Sequence, residues 1–298
     1  MNAPDALILK NIDIRDKSSL RILLDEHVDI KGVIHFAAYK AVEESHKIPL
    51  DYYQNNIVGL LNLLELISTK RIPLIFSSSC TVYGQAKKLP ITEDSPVLNQ
   101  ESPYGETKKK CEEIISEFCK KNTNLNSISL RYFNPIGAHK SALIGELPNG
   151  VPQNLVPYIT QTAIGLRKEL TIFGSDYPTR DGTCIRDYIH ISDLANSHEA
   201  ALKYLLNLKE FSFYESYNVG TGKGTTVLEV VKSFEKVNNL KLNFHIGDRR
   251  PGDIIEAYAD CSKINKDLGW KSKYKIDEAL ESAWKWENNL KISKIDHC

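Results

Sequence analysis

The sequence predicts an α/β protein built on a parallel sheet, and three observations predict it. Short apolar runs alternate with longer amphipathic segments over the first half of the 298 residues. The runs are bounded by Gly, Pro, Ser or Asn and are too short to be helices. They are also largely apolar, which suggests burial on both faces. The strands expected are Ala6–Leu9, Val33–Phe36, Leu74–Phe76 and Ile128–Tyr132. The helices expected are Lys17–Glu26, Tyr52–Ser68, Tyr104–Lys121, Val156–Gly165, Ile191–Asn207, Val227–Val237 and Ile276–Asn289. Asp193 near the start of one and Gly165 at the end of another follow the cap preferences. From Gly137 to Asn154 the chain is rich in Gly, Pro and Asn without periodicity, which predicts a loop. After Asp181 strand and helix patterns return, Tyr217–Gly220 included. Two regions are expected, 1–135 and 136–298, interleaved around 183–220.

Composition narrows the class of partner. The formal net charge is zero and the Lys and Arg residues are scattered, so neither nucleic acid nor a membrane surface is favoured over a small molecule. Six cysteines at 80, 111, 119, 184, 261 and 298 form no CxxC pair, and the eight histidines show no ligand-like spacing; no disulfide scaffold and no metal is expected. No secretory leader and no stretch long enough to span a bilayer is found, which makes the cytosol the expected compartment.

Two segments carry chemistry. Tyr104-Gly-Glu-Thr-Lys108 opens a helix, and i, i+4 spacing puts phenol and ammonium on one face. A nearby cation favours the phenolate, so Lys108 is expected to lower the Tyr104 pKa and make it a general base. A second YxxxK, Tyr83 to Lys87, runs through a turn towards Pro90 and is the weaker candidate; a plain surface helix is the alternative for Tyr104 itself. The second segment, Ser77-Ser78-Ser79-Cys80-Thr81-Val82-Tyr83-Gly84, follows an apolar strand directly. Its hydroxyls are expected at the carboxyl end of a parallel strand, where open α/β sheets bind ligands. A polar strand exit capping a turn is the alternative.

Taken in order, SSSCTVYG, SPYGETK, RYFNPIGAH, FGSDYPTRDGTCIRDYIHISDL and RRPGD resemble the UDP-glucose 4-epimerase family of extended short-chain dehydrogenases/reductases along almost the whole chain. The resemblance implies a Rossmann-like doubly wound sheet with a smaller α/β substrate-binding region, tightly held NAD, and inversion at C4 of a UDP-hexose. Region 1–135 is then the NAD-binding part and 136–298 the UDP-sugar-binding part. The resemblance makes Tyr104 the residue that takes the 4-hydroxyl proton, with Ser79 bonded to the same oxygen and Lys108 on the cofactor ribose. It further implies cofactor contacts from Asp13, Ile14, Phe36, Ala37, Ala38, Lys40, Asn55 and Phe133. Substrate contacts are implied for Asn134, Asn154, Phe173, Arg186, Arg250, Asp253 and Ala257, together with Ser79 and Tyr104. Arginine donates in a fork to phosphate, and asparagine offers paired donor and acceptor atoms to sugar or base. A small residue at 257 enlarges the space beside the hexose and implies acceptance of N-acetylated hexosamines. A homodimer through helices near 52–68 and 104–121 is implied as well.

The chain departs from that family at its start. No G-x-x-G-x-x-G or G-x-G-x-x-G follows a first strand, so the sheet is expected to lack its first two strands and their phosphate-binding turn, a unit of roughly 30 residues. Two other readings stay open on that account: an inactive epimerase-derived fragment or binding protein, and an NAD-dependent nucleotide-sugar 4,6-dehydratase. Dehydratases resembling this chain carry an Asp-Glu pair where Cys80 and Thr81 stand.

Overall fold

A computed structural model describes residues 7–295 apart from 99, 101, 122, 123 and 251, with backbone alone at 291–295. In chain order it contains α1 (Lys17–Glu26), β1 (Val33–His35), α2 (Val42–Lys47), α3 (Pro49–Tyr53), α4 (Gly59–Thr69), β2 (Leu74–Ser79), α5 (Pro103–Lys121), β3 (Ser127–Tyr132) and β4 (Asn134–Ile136). There follow α6 (Leu155–Ala163), β5 (Leu170–Phe173), β6 (Ile185–His190), α7 (Ile191–Asn207), β7 (Tyr214–Val219), β8 (Gly224–Thr226), α8 (Val227–Asn238), β9 (Phe244–Gly247), β10 (Glu256–Ala257), α9 (Ser262–Leu268) and α10 (Ile276–Ile295). Among the described residues no helix is long and apolar enough to cross a membrane.

Contacts divide the chain into two units. The first comprises Met1–Gly84, Val97–Arg131 and His198–Tyr217. Its sheet runs in the order β1-β2-β3-β7, with β1 and β2 parallel and Val33 opposite Leu74. The Asp16 carboxylate caps α1 by accepting from the Ser18 and Ser19 N–H groups, satisfying donors the first turn leaves orphaned. Leu20 and Leu24 of α1, one turn apart, then share a core with Leu60, Leu64 and Ile67 of α4, Ile115 of α5 and Leu74 and Phe76 of β2.

The second unit comprises Gln85–Pro96, Tyr132–Ser197 and Asn218–Cys298. Strands β10, β6 and β4 form one sheet, with β8 antiparallel on β6, and β5 and β9 pair in parallel. Thr226 and Glu229 close a reciprocal capping box on α8, whose Val230, Val231 and Phe234 pack with Ile159, Ile172 and Leu280. Asp187, in the middle of β6, is fully buried. Its carboxylate accepts from Thr221 N–H at 2.8 Å, Thr221 Oγ1 at 2.5 Å, Gly222 N–H at 3.0 Å and Ala259 N–H at 3.2 Å. Gly220 belongs to the same arrangement, because a Cβ there would stand 2.4 Å from the Asp187 carboxylate.

Several expectations are corrected. No strand forms at 7–9: Leu7 and Leu9 are 64% and 84% exposed and pair with no strand among the described residues, while Ala6 lies outside them. The helix expected over Tyr52–Ser68 is interrupted by a π turn at Gln54–Val58. Within that turn Asn56 spends its side chain on Tyr39 N–H at 2.8 Å, Tyr39 C=O at 3.1 Å and Thr107 Oγ1 at 3.0 Å. One wider turn brings the amide into reach of a loop and of α5 together. β4, β5, β6 and β8 to β10 were not expected, because runs such as Ile185-Arg-Asp-Tyr-Ile-His190 are short and polar.

Replacing Asp187 by Ala strips the acceptor from three N–H groups, that of Ala259 buried, and from a hydroxyl, and is expected to cost about 3 kcal/mol. Asp187→Asn, which keeps one acceptor oxygen, loses less. Urea denaturation of the two variants beside the parent checks both the size and the order.

Candidate active site

In the first unit the polar exit of β2 meets one face of α5. Ser79 ends the strand, accepts from the Thr81 N–H at 3.2 Å and caps the 3-10 turn Cys80–Tyr83. Its hydroxyl lies close enough to that of Tyr104, in the first turn of α5, to influence the phenol. Lys108, one turn further on, is buried and donates to the Ser77 carbonyl at 2.6 Å. Its ammonium lies 4.9 Å from the centre of the Phe76 ring and 6.0 Å from that of Tyr104. The sequence-predicted trio Ser79, Tyr104 and Lys108 is thus assembled at the carboxyl end of a parallel strand. Tyr83, the competing tyrosine, is fully buried and accepts from Arg131 at 2.8 Å, so its role is structural.

The electrostatics correct one expectation. Burial pushes the Tyr104 phenol up to about 12, and the nearby Ser79 hydroxyl only partly opposes it. Lys108 does not pull the phenol down, because desolvation draws its own ammonium down to about 8 and its hydrogen bond goes to Ser77.

Parallel pairing makes the 36–40 stretch leave β1 at the same end at which Ser77–Ser79 leave β2. Phe36 is 59% exposed, with its ring 4.8 Å from that of His198. Ala37 and Lys40 are exposed and Ala38 is half-buried, while Asn55, in the π turn, donates to Asn56 at 3.0 Å. Asp13 is held by Arg15, whose Nε donates at 3.0 and 3.1 Å, Nη2 at 2.6 Å and backbone N–H at 2.9 Å, and these bonds set the Asp13 carboxyl down at about 2. Ile14 packs into the core against Gly59.

In the second unit the Arg250 guanidinium lies 5.6 Å over the Phe173 ring and is bonded to Asp253 at 2.7 Å. Arg186 on β6 stands in register with Ala257 on β10, and Asn134 on β4 with Tyr188 on β6. The charges of Arg186 and Asp253 both act on the buried Tyr188 hydroxyl, which burial pushes up, so these side chains share one neighbourhood. Phe133 is buried, with its N–H on the Val219 carbonyl. Asn154 sits exposed at the start of α6 and donates to Glu146 at 2.7 Å. Asp187, next to Arg186 in sequence, forms no exposed ion pair with it: its carboxylate is buried on loop N–H groups.

Two residues were missed in the sequence reading. Asn56 ties the loop after β1 to α5, and its only signal is its place beside Asn55. Thr81 Oγ1 is buried beside Ser79 and makes no hydrogen bond among the described residues. A hydroxyl in that position within SSSCT was the available signal.

The family model described as GDP-mannose 4,6 dehydratase matches residues 2–283. A UDP-glucose 4-epimerase of Drosophila melanogaster is 50% identical over 93% of this chain and 79% of its own length. A UDP-glucose 4-epimerase structure from Stenotrophomonas maltophila, with bound NAD and formylated UDP-arabinopyranose, superposes with a TM-score of 0.93 at 42% identity, covering 97% of this chain and 84% of that one. The Bifidobacterium longum UDP-glucose 4-epimerase in complex with NAD+ and UDP superposes with a TM-score of 0.88 at 43% identity, covering 94% and 82%.

Lys108 also acts on its surroundings. His35 on β1 is buried against Phe76, and desolvation, aided by the Lys108 charge, lowers its pKa to about 4 from 6.5. Above pH 6.5 neither folded nor unfolded His35 is charged and stability is unaffected. Below it the unfolded chain takes up a proton that the folded one refuses, and stability falls towards pH 4. From pH 7.5 to 5.0 the parent should lose about 2 kcal/mol more than His35→Phe, by urea midpoints at the two pH values.

Proposed function

We propose that this chain, which belongs to the UDP-glucose 4-epimerase family of extended short-chain dehydrogenases/reductases, interconverts UDP-galactose and UDP-glucose by NAD-dependent oxidation and re-reduction at C4. The observation that carries the reading is the Ser79–Tyr104–Lys108 cluster at the end of β2. The residues fit the nicotinamide-ribose end of the cofactor: one Lys108 N–H is used on Ser77, and its other donors suit ribose hydroxyls. Phe36, Ala37, Ala38, Lys40, Asn55 and Phe133 are assigned to the same cofactor, and Asp13 and Ile14 to its adenosine end. Asp13 exchanges the exposed Arg15 pair for a ligand at little cost. Held by these residues, NAD would supply a reversible hydride acceptor for C4, which would leave the overall reaction redox-neutral.

The chain's own residues handle the proton and the nucleotide. Tyr104 Oη is assigned the proton of the 4-hydroxyl, a role it can take only once the phenol has given up its own proton against the upward shift that burial imposes, and Ser79 Oγ is assigned to the same oxygen. Thr81 Oγ1, buried without a partner, is assigned a sugar hydroxyl. Arg186 and Arg250 hold the diphosphate, Phe173 stacks on the uracil, Asn134 and Asn154 bond the nucleotide, and Asp253 orients Arg250. Ala257, small and next to Arg186 across the sheet, leaves room for an N-acetyl group, which extends the substrates to UDP-N-acetylhexosamines. Region 1–135 is the cofactor part and 136–298 the nucleotide-sugar part, interleaved around 183–220. The protein is proposed to act in the cytosol as a homodimer through the 52–68 and 104–121 helices. The matched model names a 4,6-dehydratase, but Cys80 and Thr81 supply no acid–base pair for elimination.

Purified protein is to be analysed for NAD by mass and absorbance, and UDP-galactose conversion followed on the same sample. Bound NAD with UDP-glucose as product is expected; an apo, inactive protein contradicts the reading and favours a non-catalytic binding protein, and a 4-keto-6-deoxy product favours the dehydratase. Tyr104→Phe is expected to lower kcat by about 10²- to 10⁴-fold with folding intact, the usual range for a positioned acid–base group. Arg250→Ala is expected to raise KM more than it lowers kcat. UDP-N-acetylgalactosamine left unconverted by an enzyme that turns over UDP-galactose refutes the assignment of Ala257.

A further inference from the structure

Tyr104, Lys108 and Glu112 occupy successive turns of α5 on one face, and each meets one of three consecutive serines of β2. Tyr104 stands near the Ser79 hydroxyl, Lys108 donates to the Ser77 carbonyl, and Glu112 Oε1 accepts from Ser78 Oγ at 2.5 Å. Phe76 and Ser78, two residues apart, both turn towards the helix. Glu112 is in turn gripped by Arg131 of β3, with Nε at 3.0 and 3.2 Å and Nη2 at 2.6 Å, both side chains being 8% exposed. Arg131 also donates to Tyr83 and lies 4.9 Å from the centre of that ring, which ties in the turn that follows Ser79.

We propose that Glu112, through Ser78 and Arg131, is the positioning residue that fixes where Tyr104 and Lys108 stand against the serine run. Touching no reacting atom, it acts by setting the register of α5 on β2. A hydrophobic contact tolerates sliding, whereas a carboxylate forked by a guanidinium and capped by a hydroxyl has one geometry. Its charge has a second effect: beside the desolvated Lys108, it favours the ammonium form.

The inference rests on the proposed reaction for its kinetic arm, and a second arm is independent of turnover. Glu112→Gln and Ser78→Ala are compared with the parent and with Thr160→Val. That control removes a buried hydroxyl bonded to Glu287 at 2.8 Å, far from the serine run in sequence. Ser78→Ala leaves the Glu112–Arg131 pair intact and is the variant to rely on if Glu112→Gln does not fold. Expected are kcat values down about tenfold in Ser78→Ala and about a hundredfold in Glu112→Gln, with KM within about twofold, since small misplacements of a catalytic group cost that much. In 15N-lysine NMR the Lys108 Nζ of Glu112→Gln should titrate about one pH unit below the parent, with Ser78→Ala shifted the same way by less and Thr160→Val unshifted. Lys108 titrations coinciding with the parent in both variants overturn the proposal, as does an unchanged kcat in an active enzyme. An inactive parent refutes the proposed reaction instead, and the titration still decides the positioning role.

Discussion

The buried ion pair between Glu112 and Arg131 is the interaction on which the chemistry of the first unit depends. Two charges removed from water contribute little net stability even when well bonded, and breaking such a pair costs about 3–5 kcal/mol. What the pair provides, together with the Ser78 hydroxyl on the same carboxylate, is a single register of α5 on β2 and β3. From that register follow the nearness of Tyr104 to Ser79 and the burial of Lys108. Burial in turn explains why the phenol and the ammonium are both pushed towards their neutral forms, and why His35 across the sheet resists protonation.

The second unit relies on a different device. β6 carries Arg186 and Asp187 side by side, and the alternation of a strand sends them to opposite faces. Asp187 turns inwards and fixes the loop at 220–222 and the start of the segment after β10. Arg186 stands beside Ala257, in the neighbourhood of Asp253 and therefore of Arg250 and Phe173. One strand thus holds its own neighbours in place and presents a cation. This explains why a hexapeptide as polar as Ile-Arg-Asp-Tyr-Ile-His is largely buried.

Much of this was legible in the sequence wherever one local rule decided the outcome. Helices α1, α5, α7 and α8 lie within a residue of expectation because caps and periodicity agree there. Strands β2 and β3 were visible as apolar runs, although β2 continues through the serines, which read as a strand exit. Long-range pairing was not legible. The π turn depends on Asn56 reaching Thr107, fifty-one residues away, and the strands of the second unit depend on partners rather than on their own patterning. The Tyr104–Lys108 spacing located the pair, but spacing carries no information on burial, so the direction of the pKa shift was misread. Glu112, one further turn along the same helix, passed as an ordinary helix acid.

Native-state hydrogen exchange of the β2 and α5 amides tests most directly whether that docked register organises the first unit. If the buried pair locks helix to strand, residues 74–79 and 108–119 open as one cooperative unit with the same opening free energy and the same denaturant dependence. Opening of α5 at a distinctly lower free energy, with β2 still protected, would contradict the account: the serine run would then hold its place without the helix.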